Sequence, residues 1–418
     1  MLKRHILSFI TESFLSFPVI MLIGARQVGK STLLEEMQSQ GLISHIATLD
    51  DLTTLDAVER DPYGYLKQFE HPIAIDEVQR FPRLMLAIKQ IVDETKKPGQ
   101  FVLTGSANLL SYPHFHESLA GRADIISIEG LSGKECAEQE WTYSWIDDAF
   151  VTTTINILVR HFTAYVESKK QLAINKLVQE GIFFGSYPNV RLTMSDRFRE
   201  RWFSSYEMAY IERDVRDLSK NLDIIAFGKL FRVMGYQTGQ LLNYANLAGD
   251  CMLDQRTVKR YVEFLQMTFQ ATLLLPWHTN LTHRMIKTPK VYLNDVGHAT
   301  FIQGINTQDE LKKSPSYGHL FESWVFSELR KHLHSLTGYK IAFFRTHSGK
   351  EIDFIIYKGQ KLLAIECKAK MTLQHRDAAT LISFVEEIPH ALGIIIYSGQ
   401  HVVKIHEKII AVPIAILF

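Results

Sequence analysis

The chain has 418 residues, enough for about two to four domains. Hydrophobic residues at 46% and charged residues at 22% describe an ordinary folded protein, and a formal net charge of +1 excludes a global field for nucleic acid, so any such binding must come from local patches. Cys136, Cys251 and Cys367 are too scattered for a disulfide framework or a thiolate zinc finger; no apolar run reaches the roughly 18 residues of a membrane span, so a cytoplasmic protein with no membrane partner is expected.

Residues 1–17 read as an amphipathic helix built on Leu2, Ile6, Phe9, Ile10 and Phe14. Lys3 and Arg4 precede its apolar stretch somewhat as in a signal peptide, but Thr11, Glu12 and Ser13 break it. Residues 18–23 are a short buried strand. They run into Gly24-Ala25-Arg26-Gln27-Val28-Gly29-Lys30-Ser31, which fits the G-x-x-x-x-G-K-[ST] phosphate loop, with Thr32 opening a helix. Gly24 and Gly29 let main-chain N–H groups turn inward, Lys30 reaches β- and γ-phosphates, and the Ser31 hydroxyl suits Mg²⁺. ATP and Mg²⁺ are the expected cofactors, held by residues 24–32.

Strands follow at residues 44–49, 71–75, 101–104 and 124–128, with helices at 62–70 and 82–93 between them. Short apolar strands alternating with helices imply a parallel sheet covered on both faces, with ligands at the carboxyl ends of the strands. Asp76 and Glu77 close the third strand. Asp76 is placed for Mg²⁺ and Glu77 for the attacking water. Ser106 and Asn108, after the fourth strand, are candidates for the γ-phosphate or the water. Arg122 is either an arginine finger, acting in its own chain or on a neighbour's nucleotide, or a plain surface arginine.

The segments GARQVGKSTLL, IAIDEVQRFPRL, FVLTGSANLL and SLAGRADIISIEGLS resemble the bacterial and archaeal AAA-type ATPases that carry a DUF4143 C-terminal region. Gly185-Ser-Tyr-Pro188, Tyr206 and the segment from Ile211 to Asp214 fit the same family, so the resemblance spans nearly the whole chain. It implies ATP binding and hydrolysis through Lys30, Ser31, Asp76 and Glu77, with Ser106 and Arg122 as further catalytic candidates.

Residues 135–200 read as mostly helical. The next stretch suggests a winged helix: a helix over 241–247, a turn at 250–254, Asp254 as N-cap of a second helix with Val258, Tyr261, Val262 and Leu265 inward, and wing strands at 271–277 and 290–293. Arg256, Lys259, Arg260, Arg284, Lys287 and Lys290 face one acid, Glu263, across this stretch. The excess suits DNA phosphates, or else is the solvated face of a packing module.

Residues 317–333 form a long helix carrying Glu322. Strands 351–357 and 361–368 join at a turn near Gly359, which puts Asp353 opposite Glu366 and Glu351 opposite Lys368, all on one face. Asp353, Glu366 and the Cys367 carbonyl suit Mg²⁺, and Lys368 a nucleophile or developing charge. Arg345, His347 and Lys350, just before the hairpin, are either phosphate contacts or a polar loop. The series Glu322, Asp353, Glu366-x-Lys368 resembles the PD-(D/E)XK nucleases, with Ile352 where that superfamily often has proline. An active nuclease, a nuclease fold kept for binding, and a solvated face with cross-strand ion pairs all remain open.

The expected architecture is therefore α/β. An AAA-like P-loop domain spans 1–140, a helical connection 141–225, a winged-helix-like domain 226–300 and a restriction-endonuclease-like domain 301–418. The expected function is an ATPase whose nucleotide state controls the C-terminal region. The alternative is a nucleotide-gated switch, or a homo-oligomeric remodelling ATPase, acting on a protein partner.

Overall fold

The apolar run at 19–23 is uniformly buried because it becomes the inner part of a parallel sheet. The computed structural model describes residues 2–105, 119–141, 144–152, 154–169, 171–210, 215, 222–278, 288–346 and 348–418. Ser106, Asn108, residues 211–214, Arg284, Lys287 and His347 lie outside them. β1 (Val19–Ile23), β2 (His45–Thr48), β3 (Ile73–Asp76), β4 (Phe101–Gly105) and β5 (Ala123–Ser127) pair in the order β2-β3-β4-β1-β5, all parallel. Along β1, Ile20 and Leu22 join one core with Leu33 and Met37, while Val19, Met21 and Ile23 join a second core with Ile88 and Ile91. That alternation is why no polar residue interrupts the strand. A helix at Leu52–Arg60, absent from the sequence expectation, starts because the Asp51 carboxylate accepts from the Thr54 N–H.

Among the described residues, five helices, Trp145–Val151, Ile155–Glu167, Gln171–Phe184, Pro188–Thr193 and Asp196–Tyr210, make the connection. Then come a helix Ile224–Tyr236, β6 (Gln240–Leu241), helices Tyr244–Cys251 and Gln255–Met267, β7 (Ala271–Leu274) and β8 (Lys290–Leu293). The strands form an antiparallel sheet in the order β6-β8-β7. The helix expected at 241–247 starts three residues later. Leu241 pairs with Lys290 in the sheet, and Asn243 caps the helix by accepting from the Ala245 and Asn246 N–H groups. Asp254 caps the next helix through Thr257, and Val258, Tyr261, Val262 and Leu265 are its buried face, as expected. The strand expected at 271–277 ends at Leu274; beyond it, Pro276 bridges to Phe343 of the C-terminal sheet.

That sheet is mixed. β9 (Lys340–Arg345), β10 (Glu351–Lys358), β11 (Lys361–Lys368), β12 (Ala391–Tyr397), β13 (Val403–His406) and β14 (Ile409–Pro413) run in the order β13-β14-β12-β11-β10-β9. The β10–β11 register matches the expectation: Phe354 faces Ile365 and Lys358 faces Lys361 across Gly359-Gln360. The helix Tyr317–His334 packs on one side and Ala379–Glu387 on the other. One buried cluster runs from Leu33 through Phe183 and Tyr206 to Phe326 and Phe418, so a continuous core crosses every expected domain boundary. Among the described residues no helix is long and apolar enough to cross a membrane.

Candidate functional site

The phosphate loop closes on itself at the carboxyl end of β1. Gly29 sits at φ +96° and leads into the helix Lys30–Ser39, which has no side-chain cap and so leaves main-chain N–H groups directed into the loop. Gly24 lies against Ile128, whose carbonyl oxygen would be 2.2 Å from an added Cβ. Ala25 and Val28 are buried; Gln27 and Thr32 are exposed, and Arg26 is half-buried. Lys30 is 6% exposed and donates to the carbonyl oxygens of Gly24 at 2.9 Å and Ala25 at 2.8 Å.

Ser31 and the third strand meet as expected. The Ser31 hydroxyl donates to Asp76 Oδ2 at 2.9 Å. Thr104, at the end of β4, donates to Asp76 Oδ1 and accepts from the Glu77 N–H at 3.2 Å. Glu77 has φ +58°, an uncommon backbone for a non-glycine residue, and Gln79 Nε2 donates to its carboxylate. Sequence reading missed Thr104; the signal was a hydroxyl ending the apolar run Phe-Val-Leu. Arg122 is elsewhere. It precedes β5 at the amino edge of the sheet, where its carbonyl accepts from Val19, and its guanidinium grips Asp93 at 2.7 and 3.0 Å.

The rim of the loop is held by distant segments. Arg4 donates to the Val28 carbonyl at 2.9 Å and the Glu129 carbonyl at 2.7 Å, and pairs with Glu135 at 3.1 Å. Asn189 Nδ2 donates to Gln27 Oε1 at 3.4 Å. The family segment Gly185–Pro188 lies beside them. The N–H and hydroxyl of Ser186 both donate to Asp295 Oδ2, at 2.7 and 2.8 Å, its carbonyl accepts from the Leu131 N–H, and Tyr187 donates to Tyr206. The Glu129 carboxylate meets Arg330 at 2.8 Å and His334 at 3.0 Å on the last turns of the helix Tyr317–His334. Burial works to raise the Glu129 pKa, but the Arg330 and His334 charges outweigh it and hold the carboxyl at about 2.

The other end of that helix bears the second cluster. Glu322 Oε1 accepts from Lys290 at 2.8 Å and from the Tyr292 hydroxyl at 2.6 Å. Lys290 also meets Glu351 at 2.5 Å and Asp353 at 3.7 Å. Its side chain is only 2% exposed, so the expectation that Lys290 contributes to a basic DNA face is corrected: β8 turns it inward. Arg345 likewise pairs with Glu351, at 2.5 Å. Asp353 Oδ2 accepts from the Cys367 N–H at 2.8 Å, and Lys368 meets Glu366 at 2.6 Å, so the expected face is assembled. Burial lowers the ammonium pKa of Lys290, but Glu322, Asp353 and Glu351 together raise it further. Burial and the Asp353 charge raise Glu322 to about 7 and Glu366 to about 8. Among the described residues no three His, Cys, Asp or Glu converge to hold a metal ion; the cation lodged among these acids is Lys290.

Comparison with known proteins gives three family matches along the chain. The family described as an AAA domain matches residues 16–137, a domain of unknown function, DUF8612, matches 175–309, and another, DUF4143, matches 317–417. The uncharacterized proteins Mb2031c of Mycobacterium bovis and Rv2008c of Mycobacterium tuberculosis are each 25% identical over 397 residues, spanning 95% of this chain and 80% of theirs. AMPPCP-bound DnaA from Aquifex aeolicus aligns at 12% identity over 63% of this chain and 86% of its own, with a TM-score of 0.29. VC1899 from Vibrio cholerae aligns at 10% identity over 92% and 90%, with a TM-score of 0.18. Both scores are too low to carry an argument. Residues 16–137 are an AAA-type ATPase domain and residues 317–417 a DUF4143 domain, the family pairing that the sequence motifs resemble.

Proposed function

We propose that the protein is a Mg²⁺-dependent ATPase whose nucleotide state is passed to a nuclease-like, DNA-gripping C-terminal half. One observation carries the first part: Lys30, Ser31 and Asp76 converge where β1 and β3 end. The donor set fits ATP and Mg²⁺. A serine hydroxyl and a carboxylate, both hard oxygen ligands, meet beside a helix N-terminus. Ser31 and Asp76 would hold the metal, which would supply charge neutralisation at the phosphates. Lys30 exchanges its loop carbonyls for phosphate oxygens. Glu77, oriented by Gln79, accepts a hydrogen bond from the attacking water, and Thr104 positions both acids. ATP turnover tests this directly. Loss in both Lys30→Ala and Glu77→Gln is expected, and wild-type turnover in either overturns it.

The loop rim supports the coupling. Arg4, Asn189 and Glu129 tie the phosphate loop and the segment after β5 to the middle region and to the C-terminal helix, so a change in loop shape has packed groups to push on. Among the described residues of 224–293 the order helix, strand, helix, helix, strand, strand supports the winged-helix reading. Arg256, Lys259 and Arg260 stand exposed on its second cap-started helix, Gln255–Met267. Replacing those three by Ala is expected to weaken DNA binding and flatten its salt dependence; unchanged binding sinks the DNA contact.

Lys290 favours a second reading, in which the C-terminal region is a catalytically closed part of a nucleotide-gated switch on a protein partner, as a monomer or a ring. Incubation with Mg²⁺ or Mn²⁺, with and without ATP, on linear, circular and single-stranded DNA and on RNA separates the two. Cleavage lost in Glu366→Ala assigns a nuclease. ATP turnover without cleavage assigns the switch. Sedimentation with and without ATP separates ring from monomer.

A further inference from the structure

Lys290 belongs to the middle region, yet it spends its charge in the C-terminal one. The period of two along β8 turns Lys290 and Tyr292 to the same side, and both donate to Glu322 Oε1. The strand is held there by main-chain contacts on its neighbour. Past β7, the Trp277 N–H donates to the Phe343 carbonyl at 2.5 Å and the Phe343 N–H to Leu275 at 3.1 Å, which joins the small sheet to β9. The ammonium therefore reaches Glu322, Glu351 and Asp353 from a docked element, not from a freely moving surface chain.

We infer that Lys290 is a built-in counter-cation that seals the acidic face of β10 and β11 against divalent metal ions, so that the face takes a metal only when β8 withdraws. With Lys290 seated, Asp353 has one oxygen toward the ammonium and the other on the Cys367 N–H, while Glu322 and Glu351 direct oxygens at the same nitrogen. A divalent ion needs those oxygens at 2.0–2.6 Å, in the volume the ammonium fills. An ammonium supplies charge and directed protons but no Lewis acidity, so it neutralises the acids without activating water. A second mark points to a cation at this face. Glu366 Oε1 is taken by Lys368, while Glu366 Oε2, shielded from solvent, has no hydrogen-bond partner among the described residues.

The seal is tested on the full chain with Mn²⁺ as the probe and no nucleotide present, so it can fail or stand independently of the ATPase reading. Isothermal titration is run on wild type, Asp353→Asn, Lys290→Met and the Lys290→Met/Asp353→Asn pair. Wild type is expected to show no Mn²⁺ uptake that Asp353→Asn removes. Lys290→Met is expected to gain one Mn²⁺ per chain, weakened at least about tenfold when Asp353→Asn is added. Wild-type uptake abolished by Asp353→Asn overturns the seal, as does a folded Lys290→Met protein that gains no uptake. Should Lys290→Met fail to fold, Lys290→Met/Glu322→Gln, in which neutral groups replace both partners of the buried pair, takes its place in the same comparison with and without Asp353→Asn.

Discussion

Lys30 and Lys290 are both buried, 6% and 1% exposed, and their surroundings treat the charge in opposite ways. Lys30 donates to the main-chain oxygens of its own loop, which are dipoles and can be traded for phosphate oxygens. Lys290 is gripped by the carboxylates of Glu322, Glu351 and Asp353 from another region of the chain. A lysine resting on carbonyls belongs to a site that takes an anion. A lysine resting on carboxylates has already neutralised its partners, so it marks a closed site and a structural joint. Function should depend on the first and stability on the second.

The largest expected effect separates them at once. Lys30→Ala should lower ATP turnover by about 10²–10³-fold or more, the scale of losing one preorganised transition-state contact. The melting temperature should stay close to wild type, because the two groups it leaves are neutral carbonyls and no charge is left uncompensated. A steady-state ATPase assay beside a thermal melt checks both halves. A large fall in melting temperature would put Lys30 in the same class as Lys290 and break the contrast.

Lys290→Ala should reverse the pattern. Removing one partner of a buried ion cluster leaves the others uncompensated, which typically costs about 3–5 kcal/mol. ATP turnover per folded molecule should remain. Adding Glu322→Gln to Lys290→Met should recover part of the loss, since neutral groups of similar size replace a buried pair with little penalty. Urea denaturation of the single and double variants reads this. A Lys290→Ala protein as stable as wild type would return the residue to the surface role that sequence alone suggested.

That error shows what the sequence could and could not carry. The phosphate loop, Asp76, Glu77 and the β10–β11 register were legible because each is local: eight residues fix the loop, and a turn at Gly359 fixes its hairpin by symmetry. The position of Lys290 depends on what β8 packs against, and no periodicity within the strand reports that. In the structure Lys290 and Tyr292 share one face of β8, and the acids they meet are 30 or more residues away in sequence. The helix expected at Leu241 failed for a nearer reason. An apolar run does not say whether it is strand or helix, and the Asn243 cap, read first, would have moved the start.

A third buried base sharpens the scale between the two lysines. His332, 2% exposed, touches the Leu417 carbonyl at 3.2 Å and sits under Trp141. Burial, helped by the charge of Lys134, pushes its pKa from 6.5 down to about 3, so it is buried neutral and not paired. The sign follows. Above pH 6.5 the folded and unfolded chains hold the same number of protons here, and the contribution is fully present. Below 6.5 the unfolded chain takes up a proton that the folded chain refuses, and stability falls toward pH 3 by up to about 1.4 kcal/mol per pH unit. Urea midpoints between pH 7.5 and 5 should fall less steeply in His332→Gln than in wild type. Parallel slopes would mean that the ring accepts its proton in the folded state.

Arg122 tests the exposed end of the scale and carries the smallest expected effect. A parallel strand delivers its carboxyl end to the ligand, and β1 must run from Val19 to Ile23 before the phosphate loop begins. Arg122 is hydrogen-bonded at the Val19 end, so about 16 Å of strand separates it from the loop at roughly 3.3 Å per residue. Its guanidinium is also turned onto Asp93, in a two-point pair open to solvent. The chain's own nucleotide is out of its reach, and Arg122→Ala should leave the turnover of dilute, monomeric protein unchanged. The same assay at rising protein concentration decides the remaining role. A defect that emerges only where wild type self-associates would make Arg122 an arginine finger for a neighbouring copy, a cation that trades its carboxylate for phosphate and so joins Lys30 in kind; turnover equal to wild type at every concentration leaves it a surface pair.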